Sequence, residues 1–269
     1  MGTTFRLGAI LCAFLLAGCA TAPAERGDRI GRIYSYLRSN RDGSEVERIH
    51  VYRASRTRIE VTKMRERCTD AAFVTAELDL TRGQATRLTG GRLTPGAGHE
   101  DFGRLSFEPA TRRLEAVLTL PDGERREAVQ IADEPWHLYD FDLASLTVTA
   151  QYRPDRRAGF SFGLALILVG EGEGDFLSYL GRADARFAGE ERYLGRAALR
   201  FEVGGPAFGD RGGPLWFDAV DGHILGASWG IPNHSEYRDF ELRLTGVGDG
   251  GAAQWRRLLT SHFEGCAER

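Results

Sequence analysis

A short segment of the chain matches the pattern of a nucleophilic serine. Residues 159–163 form Gly-Phe-Ser-Phe-Gly, which fits the G-x-S-x-G nucleophile elbow. Such an elbow requires a strand before the serine and a helix after it, within a parallel sheet. Here the charged segment 154–157 precedes the serine, and an alternating apolar segment follows it. We therefore interpret Ser161 as a residue on the polar face of a strand, and we expect no enzyme.

The histidines could serve as metal ligands or as acids and bases. None of the six has H-x-x-x-H or H-x-H spacing, and none lies near a C-x-x-C pair. The densest local group of titratable residues is His223 and His234 with Asp218, Asp221 and Asp239. This group could bind a metal or perform acid–base chemistry, or its members could be solvated turn and rim residues. The sequence predicts neither a metal site nor a catalytic residue.

Two further patterns could contact a ligand. The glycine-rich segment 170–174 is acidic and lacks the lysine and helix of a phosphate-binding loop, so we interpret it as a turn and expect no cofactor. Aromatic side chains could line a ligand cavity or pack in the core. The aromatic residues in question are Tyr34, Tyr36, Trp136, Tyr139, Trp216, Trp229 and Tyr237.

The N-terminal segment has the pattern of an export signal. The apolar run 7–16 follows a start whose fixed charge is Arg6, and it is too short to span a bilayer permanently. Residues 16–19 are Leu-Ala-Gly-Cys, an order that resembles the lipobox of bacterial lipoproteins. The resemblance implies that residues 1–18 are a signal peptide and that Cys19 carries acyl chains such as palmitate. An ordinary cleaved signal peptide containing a cysteine is the alternative.

This resemblance also implies a location. Ala20 follows the cysteine where inner-membrane retention would typically have Asp, which implies the periplasmic face of the outer membrane. Residues 19–28 are small and polar and are expected to form a lipidated, flexible tether. No other apolar run approaches the ~20 residues of a membrane helix, so we expect lipid alone to anchor the protein.

The charge of the chain argues against a nucleic-acid partner. The formal net charge is −3, and no dense basic block is present. Nearly all positive charge comes from arginine, with Lys63 as the one lysine, which we attribute to codon usage in a GC-rich genome.

The cysteines predict a disulfide. Cys12 would leave with the signal peptide and Cys19 would be acylated, which leaves Cys68 and Cys266. Two remaining cysteines in an oxidising compartment most simply pair with each other. A reactive thiol or a metal site is the alternative.

From residue 30 almost to the end, segments of six to ten residues alternate apolar and polar side chains between turn residues. This pattern predicts one mainly β domain over 29–269, a curved antiparallel sheet or open barrel with one C-terminal helix. A break near 133–136 suggests a division into two lobes. Residues 142–150 fit either a strand or a short helix capped by Asp142, and the sequence leaves both open.

The predicted C-terminal helix covers residues 252–263. Its apolar side chains follow i, i+3, i+4, i+7, i+8 spacing, so one face should be buried against or inside the sheet. The stripe consists of Trp255, Leu258, Leu259, His262 and Phe263.

The segment 213–244 carries a second resemblance. It contains Gly-Pro-Leu-Trp-Phe-Asp, an Asp-Gly hairpin turn, Pro-Asn-His and Tyr-Arg-Asp-Phe in that order. This order resembles uncharacterised β-rich periplasmic proteins of bacteria, distantly similar to the lipoprotein-carrier half-barrels whose curved sheet holds lipid. The resemblance implies an envelope lipoprotein that binds an apolar or amphipathic ligand, or an envelope protein partner. The alternatives are a scaffold or assembly protein without a ligand and, third, a hydrolase; no ligand-binding residue follows from the sequence.

Overall fold

One curved β-sheet contains the fifteen strands found in the described part of the chain. The computed structural model describes residues 29–121, 123–168 and 174–267. The prediction of a mainly β, curved antiparallel sheet is confirmed. The strands are β1 (Ile33–Ser39), β2 (Glu47–Arg53), β3 (Arg58–Met64), β4 (Ala71–Asp79), β5 (Gln84–Thr94), β6 (Gly98–Glu108), β7 (Arg113–Leu120), β8 (Gly123–Gln130), β9 (Trp136–Leu138), β10 (Phe160–Ile167), β11 (Leu177–Tyr193), β12 (Arg196–Gly204), β13 (Gly213–Asp218), β14 (Ile224–Trp229) and β15 (Phe240–Gly248).

Two antiparallel meanders make up fourteen strands of this sheet, and the short β9 pairs in parallel with β10. The first meander consists of β1 to β8 and the second of β10 to β15, and the pairing of β1 with β15 joins them. Strands β8 and β9 form the two ends, so the sheet stays open. The Glu127 carboxylate on β8 nevertheless accepts hydrogen bonds from the backbone N–H groups of Phe176 and Leu177, at 2.7 and 2.8 Å. One end of the sheet therefore bends back towards the second meander.

The residues that join the two meanders pass through the interior. This crossing segment, residues 136–152, contains β9, two short 3₁₀ turns and helix α1 (Ala144–Thr149). Every residue of α1 is buried. The segment that the sequence left open between helix and strand is thus a helix, and burial on all sides explains why it lacks the polar face of an amphipathic helix.

Asp142 does not cap this helix. The position before α1 belongs to Leu143, whose φ is 59°, and no side-chain hydrogen bond caps the helix. The suggested capping role of Asp142 is therefore wrong. Its carboxylate is turned instead towards a lysine and an arginine on β3 and β1, because two full charges attract it more strongly than helix N–H groups do.

The core lies on the face of the sheet that surrounds the crossing segment, which we call the inner face. Side chains alternate between the two faces along each strand. On β1, Tyr34 and Tyr36 point to the inner face and belong to the main core, whereas Ile33 points to the outer face. The main core includes inner-face side chains of both meanders together with those of the crossing segment, so one curved sheet encloses a single interior.

Helix α2 (Gly251–Ser261) lies on the outer face. Trp255 and Leu259 are buried there, Trp255 stacks on Tyr52 at 5.2 Å between ring centroids, and its indole N–H donates to Glu60 at 2.7 Å. Burial of one helix face is confirmed, but the helix does not close the concave interior. The reason is that α1 and the rest of the crossing segment already occupy the inner face.

A disulfide holds the end of α2 to the sheet. Cys68 and Cys266 are bonded, with their Cα atoms 5.5 Å apart, which confirms the predicted pairing. His262, just beyond the helix, contacts the carbonyl oxygen of Thr69 at 2.8 Å. In the described ranges, neither helix has the length and apolar character that a bilayer crossing requires.

Candidate functional site

A cavity of about 360 Å³ opens on the inner face, between the first meander and the crossing segment. Its volume falls in the range of small-molecule sites, which are mostly apolar with a few converging polar groups. The apolar lining of this inner-face cavity consists of Ala72, Val74, Leu88, Phe102, Leu105, Leu118, Leu138, Phe141, Ile167 and Leu168. Phe102 is 45% exposed, which is unusual for a large apolar side chain and marks the rim.

Missing side chains create much of this space. Gly90 on β5 and Gly103 on β6 are paired opposite each other and line the cavity. A Cβ atom added at Gly90 would meet no heavy atom within 4 Å, so this position faces open space. A Cβ at Gly103 would come within 3.1 Å of Leu118. The side chain of a larger residue at position 90 could therefore extend into the cavity.

One end of the cavity is charged because the inner face changes from apolar to charged side chains near the ends of β1 and β3. Arg38 follows Tyr34 and Tyr36 on β1, and Lys63 follows Ile59 and Val61 on β3, each at a spacing of two. Both charged side chains are nearly inaccessible, at 1% and 6% exposure of the residue. Buried charges of this kind require partners.

Asp142 is the central partner of both cations. Its carboxylate lies 2.8 Å from the Lys63 ammonium and 3.4 Å from the Arg38 guanidinium, and it accepts a hydrogen bond from the Asn233 amide at 2.8 Å. Burial by itself raises the pKa of Asp142, but Lys63 and Arg38 outweigh it and lower the pKa to about 2. Asp142 is therefore a fixed negative charge, and Lys63 is its closest ion-pair partner.

Arg38 has further partners at the end of β1. Its guanidinium lies 2.5 Å from the Glu47 carboxylate, and it donates to the Tyr237 hydroxyl at 2.8 Å and to the Asn233 carbonyl oxygen at 3.2 Å. Glu47 is the direct cross-strand neighbour of Arg38 on β2. Burial raises the pKa of Glu47, with the Arg38 charge opposing the rise. Four segments of the chain thus meet at one guanidinium.

Asp140 and His234 complete the charged end. The Asp140 side chain is partly buried and accepts a hydrogen bond from the Ile167 N–H at 3.3 Å. Burial raises the pKa of Asp140 to about 6, although Lys63 opposes the rise. Burial and the charge of Lys63 lower the pKa of His234 to about 3, so its imidazole is neutral near pH 7. An apolar cavity with a polar end of this kind is suited to an amphipathic molecule.

The histidine and aspartate group predicted around the β13–β14 hairpin divides into separate places. Asp218, Asp221 and His223 do come together, with one ligand-capable atom of each lying within 4.8 Å of the others. We call this trio the hairpin cluster. His234 lies instead beside Lys63 in the cavity, and the Asp239 carboxylate accepts the backbone N–H of Arg41 at 2.7 Å.

The hairpin cluster fits a metal poorly. The Asp218 carboxylate lies 2.6 Å from Arg196, and the Asp221 carboxylate lies 2.6 Å from Arg29. Two arginines already balance the two carboxylates, so a metal cation would have to displace them. Burial lowers the pKa of His223 to about 4, and its neutral ring stacks on Tyr34 at 4.8 Å. We interpret the cluster as a structural element of the hairpin.

Ser161 does not form a nucleophile elbow. It lies within β10, which continues to Ile167 rather than turning into a helix, and its hydroxyl donates to the Asp184 carboxylate at 2.6 Å. The expectation that Ser161 occupies the polar face of a strand is confirmed.

The aromatic residues pack rather than line the cavity. Of the seven considered from the sequence, six are buried, and Trp216 stacks on Tyr193 at 4.1 Å. None of the seven lines the inner-face cavity. Of the charged end, sequence reasoning singled out only His234 as a candidate site residue. It missed Arg38, Glu47, Lys63, Asp140 and Asp142 in that role. One signal was available in the sequence. Lys63 and Arg38 continue the alternation of apolar residues on their strands, which places both charges on the buried face.

Comparison with known proteins assigns no relatives. No family model matches the chain, and no curated protein matches it. The functional argument therefore depends on the inner-face cavity and its charges.

Proposed function

We propose that this protein is a lipid-anchored protein of the bacterial cell envelope that binds an amphipathic small molecule in the inner-face cavity. The observation that carries the proposal is the cavity itself, about 360 Å³ with apolar walls and a charged end. A concave, mostly apolar cavity of this size with a few converging polar groups is the usual form of a small-molecule site.

The composition of the walls supports an amphipathic ligand. Leucine, isoleucine, valine and phenylalanine side chains from both meanders and from the crossing segment provide the apolar contact. An acyl chain or a comparable apolar group would lie along them, and burial of its methylene groups would supply about 0.8 kcal/mol each. The charged end would hold the head group through hydrogen bonds.

A scaffold protein without a small ligand is the second candidate. Phe102 at the rim, 45% exposed, would favour it if the rim contacted another protein. A scaffold would not need an open cavity behind that rim, and for this reason we place ligand binding first.

The membrane anchor is part of the proposal. The Leu-Ala-Gly-Cys order at 16–19 supports acylation of Cys19, which lies outside the described residues. Residues 19–28 would then connect the lipid to the β domain predicted over 29–269. A processed lipoprotein carries several acyl chains, and several chains anchor stably where one does not.

Substitution of Gly90 by leucine tests the cavity. The new side chain would enter open space and fill part of the cavity, because nothing lies within 4 Å of the added Cβ. We expect the wild type to bind the neutral fluorescent probe N-phenyl-1-naphthylamine saturably, and Gly90→Leu to reduce its affinity about tenfold or more. Urea denaturation should show no loss of stability in the variant.

Gly246→Leu on β15 is the matched control. A Cβ at Gly246 also meets nothing within 4 Å, but the position lies outside the cavity lining. This variant should bind the probe as the wild type does. Absence of saturable probe binding in the wild type, or equal binding by Gly90→Leu, would contradict the ligand proposal and favour the scaffold.

Cys19→Ala tests the anchor. We expect this variant to leave the membrane fraction and the detergent phase, whereas the wild type remains in both. Cys12→Ala is the matched control, because Cys12 lies inside the apolar run and its loss should leave anchoring unchanged. Retention of Cys19→Ala at the wild-type level would exclude lipid anchoring through this residue.

A further inference from the structure

Most of the carboxylates around the charged end of the cavity are paired with a cation, and Asp140 is the exception among the described residues. Glu47 is paired with Arg38 at 2.5 Å, and Asp142 is paired with Lys63 and Arg38. Glu236 at the rim is paired with Arg65 at 3.1 Å. Within the described residues, the Asp140 carboxylate forms no ion pair, although the Lys63 charge acts on it, and it accepts hydrogen bonds from backbone N–H groups, among them that of Ile167 at 3.3 Å.

The cations of the cavity are fully engaged by comparison. Lys63 contacts the Asp142 carboxylate, the carbonyl oxygen of Asp140 and the His234 ring. Arg38 contacts Glu47, Asp142, Asn233 and Tyr237. An anionic head group would therefore find both positive charges already opposed, and it would also meet the Asp140 carboxylate. Like charges in a partly buried site repel strongly.

We propose that the cavity selects amphipathic molecules with a protonated amine as the head group, and that Asp140 is the residue that pairs with it. This inference rests on the proposed function, because it assigns the head-group class of the same ligand. The amine would donate to the free oxygen of the Asp140 carboxylate, while the apolar chain lies along the leucine-rich walls.

The surroundings of Asp140 determine how binding should depend on pH. It is faced by Lys63 from β3, Asp142 from its own segment, His234 from the loop before β15 and the Ile167 N–H from β10. Because the pKa of Asp140 is about 6, the carboxylate is charged at pH 7.5 and largely protonated at pH 5. Amine affinity should therefore rise with pH through about 6. Burial also raises the pKa of Glu47, so a substitution is required to assign the effect to Asp140.

Three ligands with the same twelve-carbon chain test the inference. Dodecylamine, dodecanol and dodecanoate would each displace N-phenyl-1-naphthylamine from the full-length mature protein at pH 7.5, below their micellar concentrations. We expect dodecylamine to bind about tenfold or more tightly than dodecanoate, because a charge-assisted hydrogen bond is gained in one case and a repulsion in the other.

Asp140→Asn separates the head-group contact from general electrostatics. The amide keeps an oxygen for the Ile167 N–H but removes the charge, so amine affinity should fall about tenfold while dodecanol affinity stays within about twofold. Unchanged dodecanol binding also shows that the variant is folded. Glu190→Gln is the matched control, since it removes a carboxylate charge that Arg157 pairs at 2.6 Å outside the cavity lining, and it should change amine affinity by less than about twofold.

The outcomes distinguish this inference from the proposed function. If dodecanoate binds as tightly as dodecylamine, or if Asp140→Asn leaves amine affinity unchanged, the assignment to Asp140 is overturned while cavity binding stands. If the wild type does not bind the probe at all, so that no displacement can be measured, both proposals are contradicted.

Discussion

Two polar clusters place aspartates beside a neutral histidine, and they differ in how their charges are balanced. In the hairpin cluster, Asp218 and Asp221 each have an arginine within 2.6 Å. Beside the cavity, Asp142 is paired with two cations, whereas Asp140, two residues earlier, forms no ion pair within the described residues. A cluster whose carboxylates are all paired with arginines stabilises a turn. A carboxylate without an ion pair, beside open space, can still accept a hydrogen bond from a charged ligand.

The two clusters also differ in how the chain assembles them. The hairpin cluster comes from six consecutive residues, 218–223, of one β-hairpin. The charged end of the cavity combines residues from β1, β2, β3, the crossing segment and the loop before β15. Proximity in sequence therefore identified the cluster that we interpret as structural. The proposed binding site arises from the packing of distant segments.

The largest expected effect concerns the buried ion pair of the cavity. Lys63→Met removes the closest cation from the fully buried Asp142, and loss of one partner from such a pair typically costs ~3–5 kcal/mol. Arg196→Met on β12, which removes the partner of Asp218, should cost about 1 kcal/mol, because the Arg196 side chain is 41% exposed and Asp218 keeps two backbone N–H donors. Urea denaturation at pH 7 measures both. Equal losses of stability in the two variants would contradict the expected difference between the two clusters.

The disulfide should have an effect of similar size that reaches neither cluster. The bridge closes a loop with a sequence separation of 198 residues, and loss of a native disulfide typically costs ~2–5 kcal/mol. Reduction, or the double variant Cys68→Ser with Cys266→Ser, should lower the melting temperature without changing probe affinity, because α2 lies on the outer face. Two titratable thiols in the oxidised native protein would contradict the pairing.

The ionised Asp140 carboxylate should lower the free energy of unfolding at neutral pH. Its pKa of about 6 lies above that of an ordinary aspartate, so the folded state binds this proton more tightly than the unfolded state does. The stability that this group provides is complete below about pH 4 and is lost as the pH rises through 6. Asp140→Asn should therefore raise the free energy of unfolding at pH 7 by about 1–3 kcal/mol and leave it nearly unchanged at pH 4.

Asp218 should show the opposite sign. Burial alone raises its pKa, but the backbone N–H of Asp221 and the Arg196 charge outweigh burial and lower the pKa of this carboxyl. Its contribution to stability is present at neutral pH and is lost as the pH falls below about 4. Asp218→Asn should destabilise the protein by about 1 kcal/mol at pH 7. If the Asp140 and Asp218 variants shift stability in the same direction, the contrast between the clusters is wrong.

The smallest expected effect concerns His223. Neither ring nitrogen has a hydrogen-bond partner among the described residues, and the ring stacks on Tyr34, so His223→Phe should change stability by less than about 1 kcal/mol. Added Zn²⁺ or Mn²⁺ should change the melting temperature of neither the wild type nor the variant. A rise of several degrees in the wild type that His223→Phe abolishes would instead make the hairpin cluster a metal site.

Particular residues show how far sequence reasoning reached. The alternating segments from residue 30 onwards predicted the mainly β fold, and the disulfide followed from cysteine arithmetic. The helical stripe around Trp255 and Leu259 correctly predicted burial of one face but not which face of the sheet would receive it. Both faces of the first meander are partly apolar, so periodicity does not decide between them.

The sequence by itself determined the class of fold, the bridge between Cys68 and Cys266 and the strand position of Ser161, because each depends on local spacing or on residue type. Only the tertiary structure decided that α1 fills the interior, that α2 lies outside, and that Lys63, Asp140 and Asp142 meet at the end of a cavity. The physical reason is that alternation assigns a side chain to a face, whereas charge pairing and cavity formation depend on which distant segments pack against that face.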